Sequence, residues 1–173
     1  MNLDNLRDLY RHMEWADASV WSAVLGLEPA RADQTVRELF HHLHLVQRAF
    51  LRAWLNEPGD RPFPAFDEAL ELMRWGHSYF GEVFAHFETL DDGQILQPAQ
   101  LPWTEFVERE LGRKPEPLSL AEMMLQVPLH SQYHRGQINA RLRAVGGEPP
   151  RVDYIVWVWL GRPGADWGAI EGA

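Results

Sequence analysis

The sequence predicts an all-α fold, a four-helix bundle with a long irregular connection before its last bundle helix. Four segments repeat apolar residues at alternating three- and four-residue steps, the pattern of a helix with one face turned to a core. The links between the first three segments are fairly short, which suits neighbouring helices in a bundle. One short segment, residues 154–160, has β-branched and aromatic content that favours a strand, but in an otherwise helical protein a short buried helix is the expected reading.

The first helix is predicted over residues 3–25, where Leu6, Leu9, Met13, Ala16, Val20 and Val24 share a face; Gly26 and Pro29 end it. The second spans 36–55, with Thr35 and Glu38 in capping-box register and a stripe of Leu39, Leu43, Val46, Phe50 and Trp54. Prolines and Gly59 break the pattern between Asn56 and Pro64. The third spans 66–88, with Ala69, Met73, Phe80, Val83, Phe84 and Phe87 on one side. Residues 90–118 are irregular, a length that usually marks a functional cover or short local structure. The fourth spans 120–145, opened by a capping box of Ser119 and Glu122 and closed by Gly146-Gly147. Pro128 lies inside it, where it removes one backbone bond and crowds the carbonyl four residues back, so a kink is expected there. Residues 161–173 are Gly-rich and expected to be loose.

The 173 residues suit a single domain, 1–173, with a sizeable core. A net charge of −9 argues against nucleic acid as a partner. No apolar run is long enough to cross a membrane and the polar N-terminus lacks a signal-peptide core, so the cytoplasm is the expected location. The chain has no cysteine, which excludes disulfides, thiolate metal sites and thiol nucleophiles of its own. Histidine is what it has instead: eight, at 12, 41, 42, 44, 77, 86, 130 and 134.

On the fourth helix Leu120, Met123, Met124, Val127, Ile138 and Leu142 define the inner face, and His130 and His134 lie within about 60° of it. Four residues apart, they stack one turn from each other, the geometry for two imidazoles to share a metal ion. Two separately hydrogen-bonded core histidines would give the same pattern. On the second helix, with Leu39 as reference, His42 falls beside the apolar stripe, whereas His41 and His44 fall on the far side and are expected to face solvent. His42 on a neighbouring helix favours the metal reading. His12 and His77 lie near apolar faces, and each reads as a fourth ligand or as a satisfied core residue.

Three segments carry a family resemblance: LYRHMEWADASVW (9–21), VRELFHHLHLVQRAFLRAWL (36–55) and LHSQYHRGQINARLRAVGG (129–147). They resemble the DinB/YfiT-like, DNA damage-inducible family over about residues 3–160. The resemblance selects the same three histidines: His42, in register with Phe50, and the His130/His134 pair of the His-x-x-x-His-Arg-Gly-Gln segment. It implies a four-helix bundle with an unusual crossing order, a three-histidine metal site, and commonly a homodimer. It also implies kinship with thiol-dependent transferases and isomerases that use bacillithiol or mycothiol, alongside members without known activity. The chain departs from the family at Gln47 and Arg48, where an acidic residue often stands, and at Pro128.

Three neutral imidazoles leave a divalent ion with open positions, the catalytic rather than the closed form of such a site. Zinc is the first choice and nickel the next. A low-molecular-weight thiol bound there would be held as thiolate, a route by which a chain without cysteine could do thiol chemistry. The expected function is therefore a metal-dependent thiol S-transferase in detoxification or stress response, acting on a small-molecule substrate, with a related metal-dependent hydrolase as the other enzymatic reading of the same site. The alternative is a non-catalytic dimeric metal-binding stress protein or small-molecule sensor. Arg135 reads as an anion-binding substrate contact or as an interhelical ion pair. Gly136 reads as a close-approach position between helices, Gln137 as a partner for a ligand histidine or another helix, and Trp157 and Trp159 as core or dimer interface.

Overall fold

The computed structural model of the protein describes residues 1–58 and 62–171. In chain order it contains α1 (Leu3–Leu25), α2 (Glu28–Arg31), α3 (Gln34–Trp54), α4 (Ala69–Phe87), α5 (Asp92–Ile95), β1 (Pro98–Ala99), α6 (Thr104–Leu111), β2 (Leu118–Ser119), α7 (Leu120–Ala144), α8 (Tyr154–Trp159) and α9 (Trp167–Glu171). The four long helices are those of the predicted bundle. Helices α1 and α3 each pack against both α4 and α7, so the first two long helices face each other across the core. Side-chain pairs fix the directions. Asp33 with Arg141, Gln47 with Ser131 and Trp54 with Met123 run α3 and α7 antiparallel, while Tyr10 with Met124 and Asp17 with Arg135 run α1 and α7 parallel.

Helix α3 starts two residues before the expected boundary because Asp33, not Thr35, caps it: the Asp33 carboxylate accepts the Val36 N–H. At α7 the predicted box is formed, with Ser119 and Glu122 bonding each other's backbone N–H. Helix α4 is shorter than predicted at both ends. The expected break at 56–64 lies partly at residues 59–61, outside the described residues. The segment 90–118 holds α5, α6 and a two-stranded antiparallel ladder, Pro98 opposite Ser119 and Ala99 opposite Leu118, which ties both ends of the excursion together at the start of α7. The segment expected to be a short buried helix forms a helix over Tyr154–Trp159, but only Trp157 of it is buried. The tail is not loose throughout: Trp167 and Ile170 of α9 are buried in the core cluster.

Helix α7 is continuous through Pro128. Proline has no N–H, so the Met124 carbonyl loses its helical donor. The hydroxyl of fully buried Tyr10 replaces that donor at 2.9 Å. Gly146, at φ 91°, takes the left-handed conformation that ends α7.

The helical-wheel assignment of α3 needs correction. Its buried stripe is Val36, Phe40, Leu43, His44, Gln47, Phe50, Leu51 and Trp54. Leu39 lies at the flank of this stripe, so taking it as the reference rotated the wheel. His44, expected in solvent, is fully buried; His41 is half-buried, bonded to the Pro64 carbonyl and stacked on Trp75; His42, expected beside the core, is exposed. Gly136 does not serve close approach either, because it is exposed and a Cβ there would meet nothing within 4 Å.

Candidate metal centre

The stripes of α3 and α7 turn inward, and the residues at their edges meet along the seam between the two helices. His42 projects from α3 there, and His130 and His134 from successive turns of α7. One ring nitrogen from each lies within 4.8 Å of the others. Ring centroids are 5.4 Å (His42–His130), 4.6 Å (His42–His134) and 4.4 Å (His130–His134) apart. Among the described residues no other His, Asp or Glu joins this cluster. His42 is exposed and the other two are half-buried, so the cluster opens to solvent on the α3 side.

The nitrogens are prepared unequally. His134 Nδ1 is 2.7 Å from Gln137 Oε1. An amide oxygen only accepts, so Nδ1 carries the proton and Nε2 is left with a free lone pair. Of its two readings, Gln137 takes that of a partner for His134. His130 Nε2 is buried without any hydrogen-bond partner, an arrangement that costs free energy unless something occupies the lone pair. Burial, then the neighbouring His134 and His42, push the His130 imidazole down to about 4. His42 is also lowered, by desolvation first and then by His134 and His41. Three imidazole nitrogens this close together are the donor set a borderline divalent ion takes. The residues therefore fit such a group.

Beneath the cluster lies a buried polar layer that sequence reasoning missed. Trp21 Nε1 donates to His44 Nε2 at 2.9 Å; because that nitrogen accepts, Nδ1 carries the proton and donates to Gln47 Oε1 at 2.8 Å. The Gln47 amide donates to Asp17 Oδ2 at 2.8 Å and to Ser131 Oγ at 3.2 Å. Arg135 donates to Asp17 Oδ1 at 2.6 Å and to Gln132 Oε1 at 2.9 Å. Arg135 and Asp17 are 1% and 0% exposed, so Arg135 takes the ion-pair of its two readings, and its guanidinium points into the core. Burial, opposed more weakly by Asp17 and Gln47, lowers the His44 imidazole and favours its neutral form. Its ring fits only because residue 76 of α4 is glycine: a Cβ there would sit 2.4 Å from His44 Nε2.

The remaining candidates lie elsewhere. His12 is a satisfied core residue, its Nε2 2.9 Å from the Val152 carbonyl. His77 stacks on Trp167 with centroids 4.6 Å apart. Trp157 is buried and donates to the Pro163 carbonyl, whereas Trp159 is 76% exposed. A signal for the polar layer existed in the sequence: His44 and Gln47 recur at the spacing of Phe40, Leu43 and Leu51.

A bundle of long helices with three convergent histidines at one seam defines the class, helical-bundle proteins with a possible three-histidine metal site. The chain belongs to the DinB family, whose family model matches residues 1–164. No curated protein matches it. Among the described residues no helix is long and apolar enough to cross a membrane.

Proposed function

We propose that the protein holds one divalent transition metal on His42, His130 and His134 and acts as a thiol-dependent S-transferase on a small electrophile. The observation that carries this reading is the open three-imidazole cluster with the orphaned His130 nitrogen. Held by three neutral imidazoles, zinc or nickel supplies a Lewis-acidic centre that stabilises the anion of a bound thiol or water. The chain's own residues do the rest. Gln137 fixes the tautomer of His134, desolvation keeps His130 neutral, and exposed His42 leaves a path for substrate. In such a transfer the thiol sulfur bonds to an electrophilic carbon, whose leaving group departs with the bonding pair. With no cysteine in the chain, that sulfur belongs to a low-molecular-weight co-substrate.

Metal content of the wild type, His42→Ala, His130→Ala and His134→Ala tests the site. About one ion per chain, lost in each variant, is expected. Turnover of a thiol with an electrophile, abolished in His130→Ala, then tests the enzyme; a fully metallated protein inert toward every thiol supplied removes the transferase reading. A second reading, a structural clip or sensor, is favoured by the ligands straddling α3 and α7. It requires chelation to lower the melting temperature. We also propose that two copies pair through the exposed Ile155, Trp159 and Leu160 of the α8 segment. Sedimentation should then show a dimer that Trp159→Glu converts to monomer, and a wild-type monomer at all concentrations refutes the pairing.

A further inference from the structure

The inward stripe of α7 reads Val127, Ser131, Arg135, Ile138, two polar positions between apolar ones. On α3 it reads Phe40, Leu43, His44, Gln47, Leu51, and on α1 Met13, Asp17, Val20, Trp21. The polar interruptions coincide: Asp17, His44, Gln47, Ser131 and Arg135 form one connected layer through the bundle. That layer stands at the level of the histidine cluster. Ser131 and Arg135 each directly follow a cluster histidine on α7, and His44 lies two residues beyond His42 on α3.

Apolar stripes alone set helix register loosely, since one aliphatic side chain replaces another at small cost. A one-turn slide of α7 shifts it about 5.4 Å. His130 and His134 are one turn apart, so this slide would leave a single imidazole opposite His42. The polar layer forbids it, because Arg135 would leave Asp17, and Gln47 would leave Ser131, each stranding buried polar atoms.

We propose that Asp17, Gln47 and Arg135 are positioning residues for the histidine cluster: a buried layer that locks α7 against α1 and α3 in the register where His130 and His134 face His42. This rests on the metal-site reading, and cobalt(II) binding separates the two. The visible spectrum of bound Co2+ reports coordination geometry, and its titration reports affinity. Gln47→Met and Arg135→Lys remove bonds of the layer with little change of volume or charge, and Ser131→Ala removes one of the two oxygen acceptors of the Gln47 amide and leaves the bond to Asp17. Val83→Ala, in the fully buried part of α4, is a control for general destabilisation.

Variants with wild-type circular dichroism should bind Co2+ about tenfold more weakly or worse, with an altered spectrum, while Val83→Ala keeps both affinity and spectrum. Should Gln47→Met or Arg135→Lys fail to fold, Ser131→Ala decides by the same readouts. Unchanged affinity and spectrum in the folded layer variants overturn this inference and leave the metal site standing. Equal losses in Val83→Ala overturn it too. A wild type that binds no Co2+ overturns the metal site, and the inference with it.

Discussion

Tyr10 and Pro128 are tied by a single atom, the Met124 carbonyl oxygen. Replacing Tyr10 by Phe removes the 2.9 Å bond that Pro128 makes necessary. The carbonyl is then left in the core with neither a helical nor a side-chain donor, at a cost of about 1–3 kcal/mol. In a domain of this size each kcal/mol lowers the melting temperature by about 2–4 °C. Replacing Pro128 by Ala restores an N–H at the position that serves Met124 in an unbroken helix. In that background Tyr10→Phe should cost no more than about 1 kcal/mol, since the carbonyl is already satisfied. The four proteins of the cycle, unfolded in urea with a common m value, give the coupling directly. A coupling of about 1 kcal/mol or more is expected. Equal losses for Tyr10→Phe in both backgrounds would show that the hydroxyl is not standing in for the missing amide.

Two further outcomes follow from the site. Burial holds the folded His130 imidazole down at about 4 against an ordinary 6.5. Between those values the unfolded chain binds the proton and the folded chain does not, so this contribution to stability is complete above about pH 6.5 and is lost as pH falls toward 4. In chelated protein, the fall in melting temperature across that window should be shallower for His130→Asn than for the wild type; parallel curves would contradict it. Gly76→Ala places a methyl group 2.4 Å from His44 Nε2, in a ring bonded at both nitrogens. Overpacking of about 1–3 kcal/mol should appear in urea unfolding, and an unperturbed midpoint would mean that His44 is free to move.

The four long helices were legible because periodicity is a local property and tertiary packing reinforced it. The His130/His134 pair was legible for the same reason, since four residues make one turn whatever the rest of the chain does. The family register selects the third histidine, whereas a wheel drawn on apolar residues alone points to His42 from a misplaced axis. Ranking only apolar residues put Leu39 at the centre of α3 and hid Gln47 and His44, which occupy core positions. A buried polar residue is recognisable only with its partner, and Asp17 and Arg135 are 118 residues apart. The cap of α3 was misplaced because Thr35 and Asp33 both suit that role, and backbone geometry chose Asp33. In the tail, glycine content suggested looseness, yet Trp167 and Ile170 supply enough apolar surface to dock a five-residue helix.

The short ladder beside α7 has an evolutionary consequence. Pro98–Ala99 and Leu118–Ser119 close the excursion at its base, and the Leu120 N–H bonds the Gln97 carbonyl at 3.0 Å. Between those clasps α6 contributes no fully buried side chain, and Trp103, edge-on to Phe50 at 5.2 Å, is an aromatic anchor. Lengthening such a loop is thermodynamically mild, about 0.6 kcal/mol for each doubling. Insertions here leave the start of α7, and so the placement of its histidines, untouched. The chain thereby separates a frame that must keep its register from an appendage in which new recognition surfaces can be tried without refolding the frame.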